Sequence, residues 1–365
     1  PVEERTEPPG ARREWGGTMT TELPPQWQNR IPESDRAQAS LDAAAINSFQ
    51  RDFARRGDGN PHRAFHVKSH AGLRGTLRIL PGLPAVARHG IFAAPRDFSA
   101  LVRLSNGFSA TKPDWFPDLV GLAVKVEGVD GDKLLPGEAR AATQDFLALD
   151  RGYLPVDHAG HLMVISLATG NLLTAPFKLL RGLGMAKGLE VIFWTIGWSL
   201  RRLFLKSVVT IGFSGVVPVS VGPTPAKFHW RPRQSGPAPG RSRGSWTDYL
   251  RDELRRRLAA GDIGFDLYLQ FHVDDVRTPV DGGYAWDTGV APMVKVAELV
   301  VKACDLDGAA AQASEAEVNR LAFNPWHGIA AHQPVGNIQR VRGLIYQKSA
   351  ALRSAAADPR QSEQA

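Results

Sequence analysis

Apolar and polar positions alternate with different periods along this chain, and the period changes mark its elements. From Asp35 to Arg56 the residues Ala37, Leu41, Ala45, Phe49 and Phe53 recur at steps of four, which predicts a helix with one apolar side. From Arg63 to Leu149 the pattern shortens to strands separated by turns. Thr76–Leu80, Ala100–Leu104, Gly121–Val126 and Asp145–Leu149 are the clearest, broken by Asn106-Gly107 and by the Gly128–Gly131 stretch. Asn171–Lys206 is apolar and helix-like, and Ser207–Ala226 is uncharged but interrupted by glycines and prolines. Pro232–Gly244 is a loop. Thr247–Ala260 predicts a helix with Leu250, Leu254 and Leu258 in one stripe. Phe265–Val273 and Val294–Ala303 predict two more strands. Ser314-Glu315-Ala316-Glu317 looks like a capping-box helix start, and Asn337–Ala356 is the last helix. Strands at this spacing suggest an antiparallel sheet or barrel, so the fold class is α+β.

Composition narrows the picture. Of 365 residues, 43% are hydrophobic and 8% aromatic, which suits a packed core. The formal charge of +7 favours anionic partners. The basic residues are not gathered in one tail and no zinc-finger or RNA-binding signature appears, so nucleic acid is not expected. Cys304 is the only cysteine, which excludes an intrachain disulfide and fits a cytoplasmic setting. Residues 1–32 are rich in proline and charge and read as a disordered extension, with Met19 a plausible start; residues 33–356 read as one domain, and 357–365 as a tail.

Three segments carry candidate chemistry. On the last helix Arg342, Tyr346 and Arg353 project from one side. A guanidinium beside a phenol favours the phenolate, which can ligate haem iron; a solvated basic face with one tyrosine is the other reading. In Arg63–Lys68, strand-like alternation puts Ala64, His66 and Lys68 on one face. His66 is there either a general base or a core histidine. Arg103 and Ser105, two apart on a strand, share a face that could hold an acid group and orient a histidine.

Taken together these segments resemble the haem catalases. Arg63-Ala64-Phe65-His66-Val67-Lys68 resembles their distal-histidine motif, and Val102-Arg103-Leu104-Ser105 their arginine-bearing strand. Pro117–Lys125 is similar to the strand that follows. Thr143-Gln144-Asp145-Phe146 resembles the small catalase-related proteins. Ala322-Phe323-Asn324-Pro325 is similar to a Phe-Ser-Pro turn, and Arg342–Tyr346 to the proximal Arg-x-x-x-Tyr element.

The resemblance spans Arg63 to Arg353. It implies a catalase-like barrel at about 60–305 with helices around it and a proximal helical part at 314–356. It also implies haem b, with Tyr346 as axial iron ligand and Arg342 keeping it ionised. His66 becomes the distal acid/base, oriented by Ser105. Arg63, Arg103 and Arg353 meet the haem propionates, and Phe65 and Phe146 line the pocket.

The distal asparagine of haem catalases aligns with Ala142, which cannot donate a hydrogen bond, and Gln144 is the nearby candidate to replace it. The expected function is a haem peroxidase acting on hydrogen peroxide or an organic hydroperoxide, with an organic reductant and weak true catalase activity. Hydroperoxide rearrangement of the allene oxide synthase type and non-catalytic haem binding are the alternatives. Residues 171–206, with aromatic residues, six basic residues and one acid, read either as packing against the barrel or a second subunit, or as a peripheral membrane contact through which a lipid hydroperoxide could arrive. The resemblance to interdigitated catalase oligomers implies a homo-oligomer.

Overall fold

The computed structural model describes residues 33–357, apart from 57–61, 136–137, 139, 169–170, 172 and 242–245. The extension at 1–32 and the tail beyond 357 lie outside these residues. Helix α1 (Glu33–Arg56) leads into strands β1 (Ser69–Ile79), β2 (Asp97–Asn106), β3 (Val120–Glu127) and β4 (Thr143–Leu149). Helices α2 (Ala159–Ala168), α3 (Ala175–Leu183) and α4 (Met185–Arg202) follow. Then come β5 (Phe213–Ser214), β6 (Val219–Val221), β7 (Thr224–Pro232), α5 (Tyr249–Ala260), β8 (Ile263–Phe271), β9 (Met293–Val301), α6 (Ala309–Arg320) and α7 (Asn337–Ala357).

The sheet runs β5-β4-β3-β2-β1-β9-β8-β7-β6, and a further β5–β7 pairing closes eight of its strands into an antiparallel barrel. β6 pairs with β7 outside the ring. The fold is α+β, as the strand spacing implies.

Period-two alternation decides which side chains fill the barrel. On the inner face Leu73, Val102, Val124 and Phe146 are cross-strand neighbours. Phe146 meets Phe92, Phe228 and Trp230 edge-on or tilted, with ring centroids 5.2–6.5 Å apart. The outer face of the same strands is different. There Gly72, Arg103, Ala123 and Leu147 form one cross-strand row, and Ser105, Gly121 and Leu149 the next. Helix α6 lies on this face so closely that a Cβ on Gly72 would sit 2.8 Å from Val318 Cβ and 2.9 Å from Glu315 Cα.

Several boundaries differ from the sequence pattern for physical reasons. Residues 63–68 are not a strand: the chain is irregular there and β1 starts at Ser69. Helix α6 begins at Ala309, with Gly308 at its N-cap and Ser314 buried within it, because Ala309–Ala311 extend the helix N-terminally. The helix-like stretch Asn171–Lys206 holds two helices, α3 and α4, parted at Gly184. Strand β7 escapes a period-two reading because both its faces are buried.

Buried histidines make the fold acid-sensitive. Burial pushes His70, His229 and His332 down to about 4, and His66 falls to about 3. In the unfolded chain each takes a proton near the ordinary value, so native stability falls as pH drops from about 6.5 towards 4. Asp118, which burial pushes up to about 7, and Asp150, also raised, act in the opposite sense. The four histidines outnumber these two carboxyls, so on balance stability falls as pH drops below about 6.5. Urea midpoints measured at pH 7, 6 and 5 should fall steadily; a midpoint unchanged down to pH 5 would contradict this.

Candidate active site

The candidate site lies on the outer face of β2 and β3, between the end of α6, the segment before β1, and α7. Its central residue is His66. The backbone there is left-handed, with φ 60°, the only such non-glycine residue among those described. A histidine in this region costs roughly 1–2 kcal/mol, so its surroundings must hold it. The His66 amide donates to the Gly107 carbonyl at 3.0 Å. Its carbonyl accepts from Arg103 Nη2 at 2.8 Å. The ring is fixed as well. Ser105 Oγ lies 3.1 Å from His66 Nδ1, and the Asn106 backbone carbonyl also faces the ring.

Gly121 supplies the remaining constraint. A Cβ at this position would fall 2.5 Å from His66 Cε1 and 2.6 Å from Nδ1. The imidazole therefore lies directly on the β3 backbone, and only glycine permits that approach. Gly121→Ala should leave the barrel intact but swing the ring off Ser105. A crystal structure or the ring's NMR signals would show the displacement, and an unmoved His66 ring would contradict the steric argument.

Arg103 and Ser105 share the outer face, as their spacing predicts. Arg103 also donates through Nε to Asn319 Oδ1 at 3.1 Å. Arg63 donates through Nη2 to the Asn319 carbonyl at 3.2 Å and to the Leu321 carbonyl. Asn319, at the end of α6, thus positions two arginines. Nothing in the sequence pattern signals it, because an asparagine near a helix end is unremarkable. On α7, Arg342 Nη2 donates to the Tyr346 hydroxyl at 3.2 Å, with the guanidinium carbon 5.3 Å from the ring centroid.

Electrostatics tie these segments into one cluster. Burial, followed by the charges of Arg103, Arg63 and Arg342, pushes His66 down to about 3, so its imidazole is neutral across the physiological range. Burial, then Arg103 and Arg353, pushes Arg63 down to about 8, while Tyr346 acts the other way. Burial and then Arg353 push Arg103 down to about 10. Arg353 is lowered by burial. Guanidinium groups keep their protons in proteins. These shifts therefore reflect loss of water around the guanidinium groups first and their mutual repulsion second, and a bound anion would offset both. Among the described residues no carboxylate pairs with Arg63, Arg103, Arg342 or Arg353 within 4.0 Å.

Three sequence expectations change. Phe146 points into the barrel, on the opposite face of β4 from the cluster. Phe65 stacks on Phe49 of α1 at 5.8 Å and packs against Ile46, Ala64 and Met163, a cluster that Ile345 of α7 also joins. Ala142 is exposed and precedes the end of β4 where Thr143 pairs with Glu127, whereas Gly121, under the His66 ring, pairs with Leu149 at the other end. At ~3.3 Å per residue, the two ends are about 20 Å apart. Gln144 is inward-facing, and its Oε1 accepts from the Ile329 amide at 3.1 Å. Neither residue is near His66. The β3–β4 surface beside Arg103 and Ser105 is Gly121, Ala123, Leu147 and Leu149, and the next row holds the Lys125–Asp145 ion pair at 2.6 Å.

No known family model matches the chain, and no curated protein is similar to it in sequence. Solved structures are similar in shape. A fungal catalase superposes with a TM-score of 0.61 at 16% identity, covering 80% of this chain and 59% of that one. A bacterial catalase gives 0.58 at 15% identity, covering 84% and 61%. Catalase A from Saccharomyces cerevisiae gives 0.62 at 14% identity, covering 83% and 63%. The chain thus spans about three fifths of the length of these catalases. At such identities the likeness establishes a catalase-like fold.

Proposed function

We propose that this catalase-like chain holds haem b on the outer face of β2 and β3 and acts as a peroxidase towards hydrogen peroxide or an organic hydroperoxide. One observation carries the reading. Residues distant in sequence bring a guanidinium-bonded tyrosine, a hydroxyl-bonded neutral histidine and a cluster of buried and half-buried arginines to one place.

The donor set fits the group. A phenol oxygen that already accepts from Arg342 suits ferric iron, since that donor strengthens as negative charge develops on the oxygen. The stressed guanidinium cluster of Arg63, Arg103 and Arg353 suits two carboxylates. When bound, haem would supply the redox chemistry that cleaves an O–O bond and passes its oxidising equivalents to an organic reductant. The chain's own residues do the rest. Ser105 and the Gly121 backbone fix the His66 ring. Nε2, the ring nitrogen not bonded to Ser105, takes the proton of the hydroperoxide and returns it to the departing oxygen as water or alcohol. Arg342 donates to the Tyr346 oxygen and would stabilise the negative charge that iron binding develops on it.

A second reading, rearrangement of an organic hydroperoxide, is supported by Ala123, Leu147 and Leu149. They lie on the same outer face as Arg103 and Ser105, Ala123 and Leu147 packing with Val318 and Phe323, and such an apolar surface suits an alkyl group better than a second polar contact to hydrogen peroxide. The same surface supports weak oxygen evolution from hydrogen peroxide. Binding without turnover would leave the strained backbone at His66 without a role.

The deciding experiment is the absorption spectrum of protein reconstituted with haem b, before and after one equivalent of hydroperoxide and then a generic reductant dye. A spectrum that changes with hydroperoxide and returns with dye supports the peroxidase. A converted hydroperoxide without dye oxidation supports rearrangement. No haem retention would overturn both.

A further inference from the structure

Helix α4 is apolar on both of its sides. Gly188, Val191, Trp198 and Arg202 are buried against the protein. On the other side Met185, Leu189, Phe193, Ile196 and Leu200 recur every three or four residues and face solvent. At 1.5 Å per residue this stripe is about 22 Å long. It continues past the helix into Leu203 and Phe204, which is 79% exposed, while Leu173 (95%) and Phe177 (67%) add to it from the α3 side. An exposed apolar run of this extent on a folded protein marks a contact surface.

The charges around the stripe are of one sign. Lys178, Arg181, Arg201 and Lys206 are exposed. Glu190 is the single acid between 171 and 206, and Lys187 already pairs with it at 2.8 Å. No helix among the described residues is long and apolar enough to cross a membrane. The stripe can, however, lie in the plane of one.

We propose that α3 and α4 form a docking face for an anionic lipid surface. Apolar side chains enter the acyl boundary while Lys178, Arg181, Arg201 and Lys206 meet the headgroups. Charge distinguishes this occupant from a second copy of the chain. A twofold contact would set the same basic patch against itself, with no available acid to meet it. An anionic bilayer instead rewards each basic residue by about fivefold in partitioning. The helix is also joined to the candidate site. Arg202, the last residue of α4, donates to Asn106 Oδ1 at 2.8 Å, and Asn106 adjoins Ser105 on β2.

The test is co-sedimentation of the full chain with vesicles of pure phosphatidylcholine and of phosphatidylcholine with phosphatidylglycerol, at low and high salt. Binding should be strong only to the anionic vesicles at low salt. Arg201→Glu with Lys206→Glu should weaken it by at least 25-fold. Phe193→Ser with Leu200→Ser should abolish it while the circular dichroism spectrum stays unchanged; all four side chains are exposed, so folding is preserved. The proposal is overturned by an absence of binding to either vesicle, or by equal binding to both that resists charge reversal. It is equally overturned by dimerisation in light scattering that the Phe193 and Leu200 changes abolish, which would assign the face to a second copy. None of these readouts depends on haem.

Discussion

Tyr346→Phe should fold normally and fail to retain haem. The substitution keeps the ring and removes only the oxygen that Arg342 contacts at 3.2 Å. On the protein side the cost is one partly exposed hydrogen bond, about 1 kcal/mol, too little to unfold a chain with this barrel core. On the cofactor side it removes the ligand atom. Loss of a supporting outer-shell group alone costs roughly 10- to 100-fold in metal-site affinity, so loss of the ligand should exceed that range. Arg342→Leu, which leaves the phenol but removes its donor, should fall within it. Pyridine haemochrome content and the visible spectrum measure both. A Tyr346→Phe protein with wild-type haem content and spectrum would show that the iron is held elsewhere, and the proposed function would need another proximal residue.

The second large effect belongs to His66. His66→Gln should keep its haem and lose roughly 10²–10⁴-fold in the rate of hydroperoxide cleavage, the usual contribution of a positioned acid/base. The pH profile carries independent information. The imidazole titrates only near pH 3 in the folded protein. A base whose value lies so low is deprotonated above it, so cleavage should be flat between about pH 5 and 9, with no step near the ordinary histidine value of about 6.5. Stopped-flow measurement across that range checks this. A sigmoidal rise centred between pH 6 and 7 would mean that His66 is cationic in the working enzyme below that range, contrary to its half-buried position among three arginines.

Much of the site was legible because it rests on short-range spacing. Two residues on a strand share a face whatever the rest of the fold does, so Arg103 and Ser105 could be paired before the barrel was known. Four residues on a helix are one turn apart, so Arg342 and Tyr346 could be paired in the same way. The errors arose where face and register depend on tertiary structure. Phe146 and Asp145 lie on opposite faces of β4, but which face is the interior follows from barrel closure, which no local pattern encodes. Motif alignment alone sets Ala142 at the distal asparagine's position and offers Gln144 as its substitute. The antiparallel register places Thr143 opposite Glu127 and sends that end of β4 away from Gly121. The segment around His66 alternates like a strand, yet its left-handed residue ends any such run. Asn319 and Gly121 give no signal in the sequence, because the former acts through a helix end and the latter through the side chain it lacks.

The left-handed backbone at His66 also sets how this position tolerates change. Glycine adopts φ 60° at no steric cost, and asparagine at little. Replacing His66 with glycine should therefore relieve the backbone strain and offset part of what losing the ring's contacts with Ser105 and Gly121 costs, while alanine should not share that relief. A deep mutational scan scored by abundance would rank glycine and asparagine among the best residues at 66, and one scored by turnover would reject both. That opposition between two rankings of a single column would identify the position as one where function opposes folding, without any ligand, spectrum or structure of a complex.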